Sequence, residues 1–173
     1  MGENQAMYRD MQSIMVHNAE RFGSKKYIIS VDQNRDITFS EFNEQCGRIA
    51  NFLKDKGIKK DDTISLIGKN SIETLSIYFG VLKYGAIANP INFEESRENI
   101  YHIIGRVKPK FVIHNEEMDF DQTDSPYSWL PFSTLDVKER REGEFFSVVE
   151  NFEPDFEAPL GRKDDIAEIV FKK

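Results

Sequence analysis

Few side chains in this sequence have the type and spacing that catalysis or metal binding requires. The single cysteine, Cys46, falls on the apolar face of a predicted helix, and no basic residue on that face lies close enough to lower its pKa. The three histidines, His17, His102 and His114, are far apart, and none has a second potential ligand three or four residues away. The sequence therefore predicts a cysteine in the core and no histidine metal site.

The acidic pairs and triplets are equally poor candidates for chemistry. Asp119, Asp121 and Asp124 have the spacing of a partial calcium loop but lack its glycine at the sixth position and its glutamate at the twelfth. Asp61 and Asp62 follow a helix stop and precede a strand, which is typical of a turn. We therefore predict no catalytic residue and no metal ligand in these 173 residues.

One polar stretch stands where ligands commonly bind. Asn89, Pro90 and Asn92 lie at the end of a short apolar strand predicted at residues 86–89, which we expect Pro90 to stop. In open α/β sheets, ligands gather at the carboxyl ends of parallel strands. Two interpretations remain: these residues contact a ligand directly, or they form a turn that redirects the chain.

The elements that would position these residues alternate between strands and helices. Strands are predicted at residues 63–67, 86–89 and 111–113, and the two segments between them carry apolar residues at helical spacing. Asn70 and Glu73 have the spacing of a cap for the first of these helices. This order predicts an α/β fold with a doubly wound, mainly parallel sheet and flanking helices.

Further elements are predicted on both sides of this unit. A helix ending at Gly23 and a hairpin over residues 27–39 come first, followed by a helix that Thr38 and Glu41 cap reciprocally. Residues 115–160 are acidic and predicted to be rich in loops, and residues 166–171 read as a strand. We interpret residues 1–173 as one α/β subdomain.

Composition favours a protein of the cytoplasm. The net charge is −7, and residues 115–160 hold 13 acidic residues against 3 basic ones, which would repel phosphate backbones. No apolar run approaches the roughly 20 residues that span a bilayer, and a lone cysteine forms no internal disulfide. We predict no nucleic-acid partner, no membrane span and a cytoplasmic location.

Several short stretches, in their order and spacing, resemble the adenylate-forming superfamily, which includes acyl- and aryl-CoA synthetases, adenylation domains of peptide synthetases, and firefly luciferase. They are ITFSEF at 37–42, IANFL at 49–53, NSIE at 70–73, GVLKYGA at 80–86, NPIN at 89–92 and DDIAEIVF at 164–171. The stretches at Asn70-Ser71 and Pro90-Ile-Asn92 are more similar to the CoA ligases than to the peptide synthetases.

The resemblance implies the N-terminal part of a carboxylic acid–CoA ligase. Such an enzyme uses ATP, Mg²⁺ and CoA to form an acyl-adenylate and then an acyl-CoA. The loop with Asn89, Pro90 and Asn92 would lie near its CoA channel. The family's Thr/Ser/Gly-rich phosphate loop would follow the strand at 166–171, where Lys172 and Lys173 stand instead. We therefore expect these residues alone to be inactive and to bind none of these cofactors.

Two other functions remain open at this point. The chain could be a non-catalytic binding or scaffolding module on the same fold, or a fragment of an amino-acid adenylation domain. A Thr/Ser/Gly-rich continuation beyond residue 173 would favour a ligase over the module. The expected partner is the remainder of the ligase. Apolar residues in the strand at 166–171 also predict self-association.

Overall fold

A four-stranded parallel sheet lies at the centre of the fold, in a computed structural model that describes residues 10–123, 125–134, 139–157 and 164–171. In chain order, the elements are α1 (Met11–Phe22), β1 (Lys26–Ser30), β2 (Arg35–Thr38), α2 (Phe39–Asp55), β3 (Thr63–Gly68), α3 (Ile72–Tyr84), β4 (Ile87–Asn92), α4 (Arg97–Val107), β5 (Phe111–Asn115), β6 (Ser128–Phe132) and α5 (Phe145–Val149). The strand order is β4-β3-β5-β6 with every pairing parallel, which confirms the predicted fold class.

The central strand, β3, is buried because helices cover both faces of the sheet. Successive side chains of a strand point to opposite faces. Ile64 and Leu66 pack in a first core with α2 and α3, while Ile67 packs in a second core with α4. A strand buried along nearly its whole length, such as β3, is typical of a sheet covered on both sides.

The second core is closed partly by aromatic residues. In the described residues between β5 and β6, no helix covers the sheet, and Phe120 fills this space with only 5% of its surface exposed. The ring of His114 lies edge-on to Phe120 and Trp129, at centroid distances of 5.2 and 5.8 Å. Burial lowers the pKa of His114, so this imidazole packs as a neutral ring near neutral pH.

The N-terminal elements form a smaller layer, in which the predicted hairpin and helix cap are confirmed. β1 and β2 pair antiparallel as a separate two-stranded sheet. The hydroxyl of Thr38 accepts from the amide of Glu41 at 3.2 Å, and the Glu41 carboxylate accepts from the amide of Thr38 at 2.9 Å. This reciprocal cap starts α2.

Strand β4 does not end before Pro90, as the sequence predicted, but continues through it to Asn92. The amide of Ile87 donates towards β3, to the carbonyl of Asp62, whereas the amide of Ala88 donates to the opposite side, to Ala167. The alternation places the nitrogen of Pro90 on the side away from β3. A proline is tolerated there because no β3 carbonyl needs its missing donor.

The C-terminal half differs from the sequence prediction in two ways. Residues 166–171 are not a regular strand: they make one parallel bridge, from Glu168 to Ala88, with backbone hydrogen bonds of 2.9 Å on either side of it. The acidic segment also contains β6 and the short helix α5, which were not predicted. The carboxylate of Glu144 caps α5 and accepts from the amide of Ser133, so one acidic side chain joins both elements.

Residues 150–157 run across α2 in close contact with its backbone. The carboxamide of Asn51 donates to the carbonyls of Glu153 and Asp155, both at 2.8 Å, and Arg48 donates to the carbonyls of Glu150 and Phe152. A Cβ atom at Gly47 would lie 1.7 Å from the carbonyl oxygen of Pro154. Glycine is therefore required at position 47 by the close approach of this segment.

We predict that Gly47→Ala lowers the free energy of unfolding by about 1–3 kcal/mol, because the added methyl group must displace the segment from α2. Gly105→Ala, in α4, is the matched control, since its Cβ would meet no atom within 4 Å. The control should raise stability by about 0.5–1 kcal/mol. Urea unfolding of both variants checks this, and equal effects would contradict the packing argument.

Candidate functional site

A cavity of about 540 Å³ lies at the carboxyl ends of β3 and β4. Parallel strands place their following loops at the same edge of the sheet, so the residues after Gly68 and those after Ile91 face one another there. The lining is completed by the β1–β2 turn and by Thr134. The lining residues are Asp32, Gln33, Gly68, Lys69, Asn70, Ser71, Asn92, Phe93, Glu94 and Thr134.

The cavity is suited to hydrogen bonding rather than to bond-breaking chemistry. Its ten lining residues offer carboxamides, hydroxyls and the carboxylates of Asp32 and Glu94, but no cysteine or histidine. Lys69 is the one cation among them. Its ammonium pairs with the carboxylate of Glu117 and lies 4.9 Å from the centroid of the Phe93 ring, so it links the loops after β3, β4 and β5.

A buried ion-pair network fixes one wall of this cavity. The carboxylate of Glu73, in which only 1% of the side chain is exposed, pairs with Arg35 and, at 3.5 Å, with Arg140. It also accepts from the carboxamide of Gln33 at 2.7 Å. Gln33 in turn accepts from the amide of Ile72 at 2.9 Å, so the turn that lines the cavity is fastened to the start of α3.

This network corrects the predicted cap of α3. The N-cap residue is Ser71, whose hydroxyl accepts from the amide of Thr74 at 3.0 Å, rather than Asn70. Glu73 does not reach back to the cap, because its carboxylate is bound by the two arginines. The spacing of Asn70 and Glu73 resembled a local cap, and no local pattern could indicate partners so distant in sequence.

The three residues selected from the sequence, Asn89, Pro90 and Asn92, all lie in β4 but in different surroundings. Asn92 is exposed and lines the cavity. Asn89 is fully buried, and its carboxamide bonds Ser65 and the carbonyl of Ile169. Pro90, which lies between them in the sequence, is half-buried. Only Asn92 therefore presents its side chain to the cavity.

Residues considered for other chemistry are buried or dispersed. Cys46 is fully buried, and burial raises the pKa of its thiol, an effect that the charge of Lys83 partly opposes. Lys83 belongs to α3, so spacing along α2 could not indicate it. Burial lowers the pKa of Lys83, whose ammonium donates to the carboxamide oxygen of Asn43 at 2.6 Å. Asp124 of the partial calcium pattern lies outside the described residues.

The described ranges contain neither a cluster of metal ligands nor a membrane-spanning helix. No group of three or more histidine, cysteine, aspartate or glutamate side chains in those ranges could hold a metal ion. Among the same residues, no helix combines the length and the apolar character needed to cross a bilayer.

Comparisons with known proteins agree on one family. A family model described as "AMP-binding enzyme" matches residues 15–171. The medium/long-chain-fatty-acid–CoA/3-oxocholest-4-en-26-oate–CoA ligase of Mycolicibacterium smegmatis is 28% identical over 144 residues, which cover 75% of this chain and 25% of that protein. Gramicidin S synthase 2 of Brevibacillus brevis is 29% identical over 83 residues, which cover 48% of this chain and 2% of that protein.

A solved structure has the same fold. The N-terminal subdomain of Klebsiella oxytoca NpsA, in complex with 3-hydroxybenzoyl-AMSN, superposes with a TM-score of 0.75 at 19% sequence identity. The superposition covers 96% of this chain and 39% of that one. The chain therefore spans well under half the length of the proteins that it matches.

We predict that Glu73→Gln lowers the free energy of unfolding by about 3–5 kcal/mol, because two arginines lose their buried counter-ion. Glu117→Gln is the matched control, since it breaks an ion pair whose side chains are 51% and 54% exposed, and it should cost less than about 1 kcal/mol. Chemical denaturation of both variants measures the difference. Similar losses would show that the Glu73 network does not hold this wall.

Proposed function

This chain belongs to the AMP-binding enzyme family, whose model matches residues 15–171, and from that premise we propose that it is the N-terminal part of an ATP-dependent, AMP-forming carboxylic acid–CoA ligase. The whole enzyme would join a carboxylic acid to AMP and then transfer the acyl group to the thiol of CoA. ATP, Mg²⁺ and CoA would be its cofactors.

One observation carries the choice of the CoA-ligase branch. Asn70, Ser71 and Asn92, the residues whose resemblance favours that branch, line the same cavity, the first two from the start of α3 and the third from the end of β4. Because these residues line one cavity, their identities should depend on the ligand that the cavity binds, which differs between the two branches of the family. The match to the mycobacterial ligase over 75% of this chain supports the same choice.

The sequence led us to expect no cofactor binding by these residues alone, but the polar lining of the cavity leads us to propose that it holds the pantetheine arm of CoA. This arm carries two amides and a hydroxyl, which need donors and acceptors along a groove. Asn70 and Asn92 supply carboxamides, and Ser71 and Thr134 supply hydroxyls. Of the three β4 residues selected from the sequence, only Asn92 would contact the ligand. Asn89 and Pro90 would affect binding indirectly, by shaping strand β4.

These 173 residues are proposed to be inactive alone. Charge stabilisation at the transferring phosphate is usually a large part of catalysis of this kind, and the sequence contains no Thr/Ser/Gly-rich phosphate loop. The main alternative is an amino-acid adenylation domain, which the match to gramicidin S synthase 2 favours.

The decisive experiment titrates the purified 173-residue protein with CoA by NMR. We predict saturable chemical-shift changes at Lys69, Asn92 and Phe93. Asn92→Ala should weaken the affinity for CoA at least threefold, because one carboxamide partner is lost. Asn151→Ala, which changes an exposed asparagine outside the cavity lining, is the control and should leave binding unchanged. Pyrophosphate release from ATP with a panel of acids should stay at the blank level.

Each part of this proposal has its own contrary outcome. Turnover above the blank would contradict the inactivity. Absence of CoA binding at millimolar concentration, with binding of an aminoacyl-adenylate analogue instead, would favour the adenylation-domain alternative.

We also propose that the protein self-associates through its C-terminal segment, where Ile166 is 62% and Val170 57% exposed. Sedimentation velocity should show dimers or larger species at high concentration. Val170→Lys should weaken them, because burying a lysine at the contact is costly. Val31→Lys is the control, because Val31 lies on the hairpin and is 85% exposed, and it should leave the association unchanged. A monomer at every concentration would contradict this assignment.

A further inference from the structure

Asn89 has both ends of its carboxamide engaged inside the sheet. The hydroxyl of Ser65, its register partner on β3, donates to Oδ1 at 2.8 Å, and Nδ2 donates to the carbonyl of Ile169 at 2.8 Å. Ser65 and Asn89 are both fully buried. Because a backbone carbonyl can only accept, the contact with Ile169 fixes which end of the amide faces the C-terminal segment.

The contact with Ile169 stands where a backbone hydrogen bond is missing. Ala88 bonds the C-terminal segment on both sides: its amide donates to Ala167, and its carbonyl accepts from Ile169, each at 2.9 Å. In a regular parallel ladder, the next bond would run from the amide of residue 90 to the carbonyl of Ile169. Residue 90 is proline and has no amide hydrogen, so the ladder cannot continue.

Three further side-chain contacts of residues 164–171 lie near the surface. Lys60 and Asp165 form an ion pair at 2.6 Å with side chains 50% and 28% exposed. Tyr78 donates to the carboxylate of Glu168 at 2.9 Å near the surface. The guanidinium of Arg106 lies 5.9 Å from the centroid of Phe171. Exposed ion pairs contribute little to stability, which gives the buried hydrogen bond from Asn89 a larger share in holding the segment.

We propose that the side chain of Asn89 replaces the missing amide of Pro90 and thereby positions residues 164–171 against β4. Asn89 is in this sense a positioning residue. Resting on the proposed function, the inference gives it a role in the ligase: it sets where the chain leaves the sheet towards the nucleotide-binding loop that would follow. The dipeptide Asn89-Pro90 then works as a unit, in which the first residue supplies what the second lacks.

Rescue of the missing donor tests this inference. We predict that Asn89→Ala accelerates hydrogen exchange of the Ile169 amide roughly two- to tenfold, the effect of losing one neighbouring buried hydrogen bond. Pro90→Ala alone should change little. In the double variant Asn89→Ala/Pro90→Ala, the new amide at residue 90 can donate to Ile169, and exchange should return to within about twofold of the original rate.

The controls separate positioning from general stability. Asn92→Ala changes the exposed asparagine of the same strand and should leave Ile169 unaffected. The amide of Ile113 in β5, which β3 separates from β4, reports on the rest of the sheet. If Asn89→Ala does not fold, Asn89→Leu keeps the volume without a donor and takes its place in the same pair of measurements.

Three outcomes would overturn the inference. They are unchanged exchange at Ile169 in the single variant, equal acceleration at Ile113, and failure of the Pro90 substitution to restore protection. The measurement uses no ligand, so it can succeed where CoA or ATP binding fails, and the two proposals are tested separately.

Discussion

The burial of β3 on both faces is the constraint from which the rest of the structure follows. A strand buried on both faces needs helices on both sides of the sheet and a neighbouring strand along each edge. β4 and β5 pair with the two edges of β3, α2 and α3 cover one face of the sheet, and α4 covers the other. Parallel neighbours bring their following loops to one edge of the sheet, and the cavity lies at that edge.

Local patterns predicted the elements well and their partners poorly. The cap of Thr38 and Glu41 was predictable because both residues lie within one turn. The same spacing at Asn70 and Glu73 misled, since Glu73 instead binds arginines from the hairpin and from the acidic segment. Likewise, the prediction that Pro90 ends its strand assumed that every amide in a strand is needed. Whether the nitrogen of Pro90 faces β3 becomes apparent only when the sheet is assembled.

The candidate site was predictable in place but not in composition. The carboxyl end of β4 followed from the order of strands and helices, and Asn92 does line the cavity there. Gln33 and Thr134 could not be expected, because they come from the hairpin and from the acidic region. Both are drawn to the start of α3: Gln33 donates to Glu73 and to the carbonyl of Thr134. The wall is therefore shaped by a long-range ion pair rather than by the strands that the sequence revealed.

The placement of the only tryptophan has a practical consequence for studies of this fold. Trp129 packs against Phe120 and His114 in the second core, on the α4 side of the sheet, and the first core contains no tryptophan. Its fluorescence emission therefore reports on one side of the sheet alone. Tyrosine emission is not selective in the same way, because Tyr78 and Tyr84 pack against the first core whereas Tyr127 packs against the second.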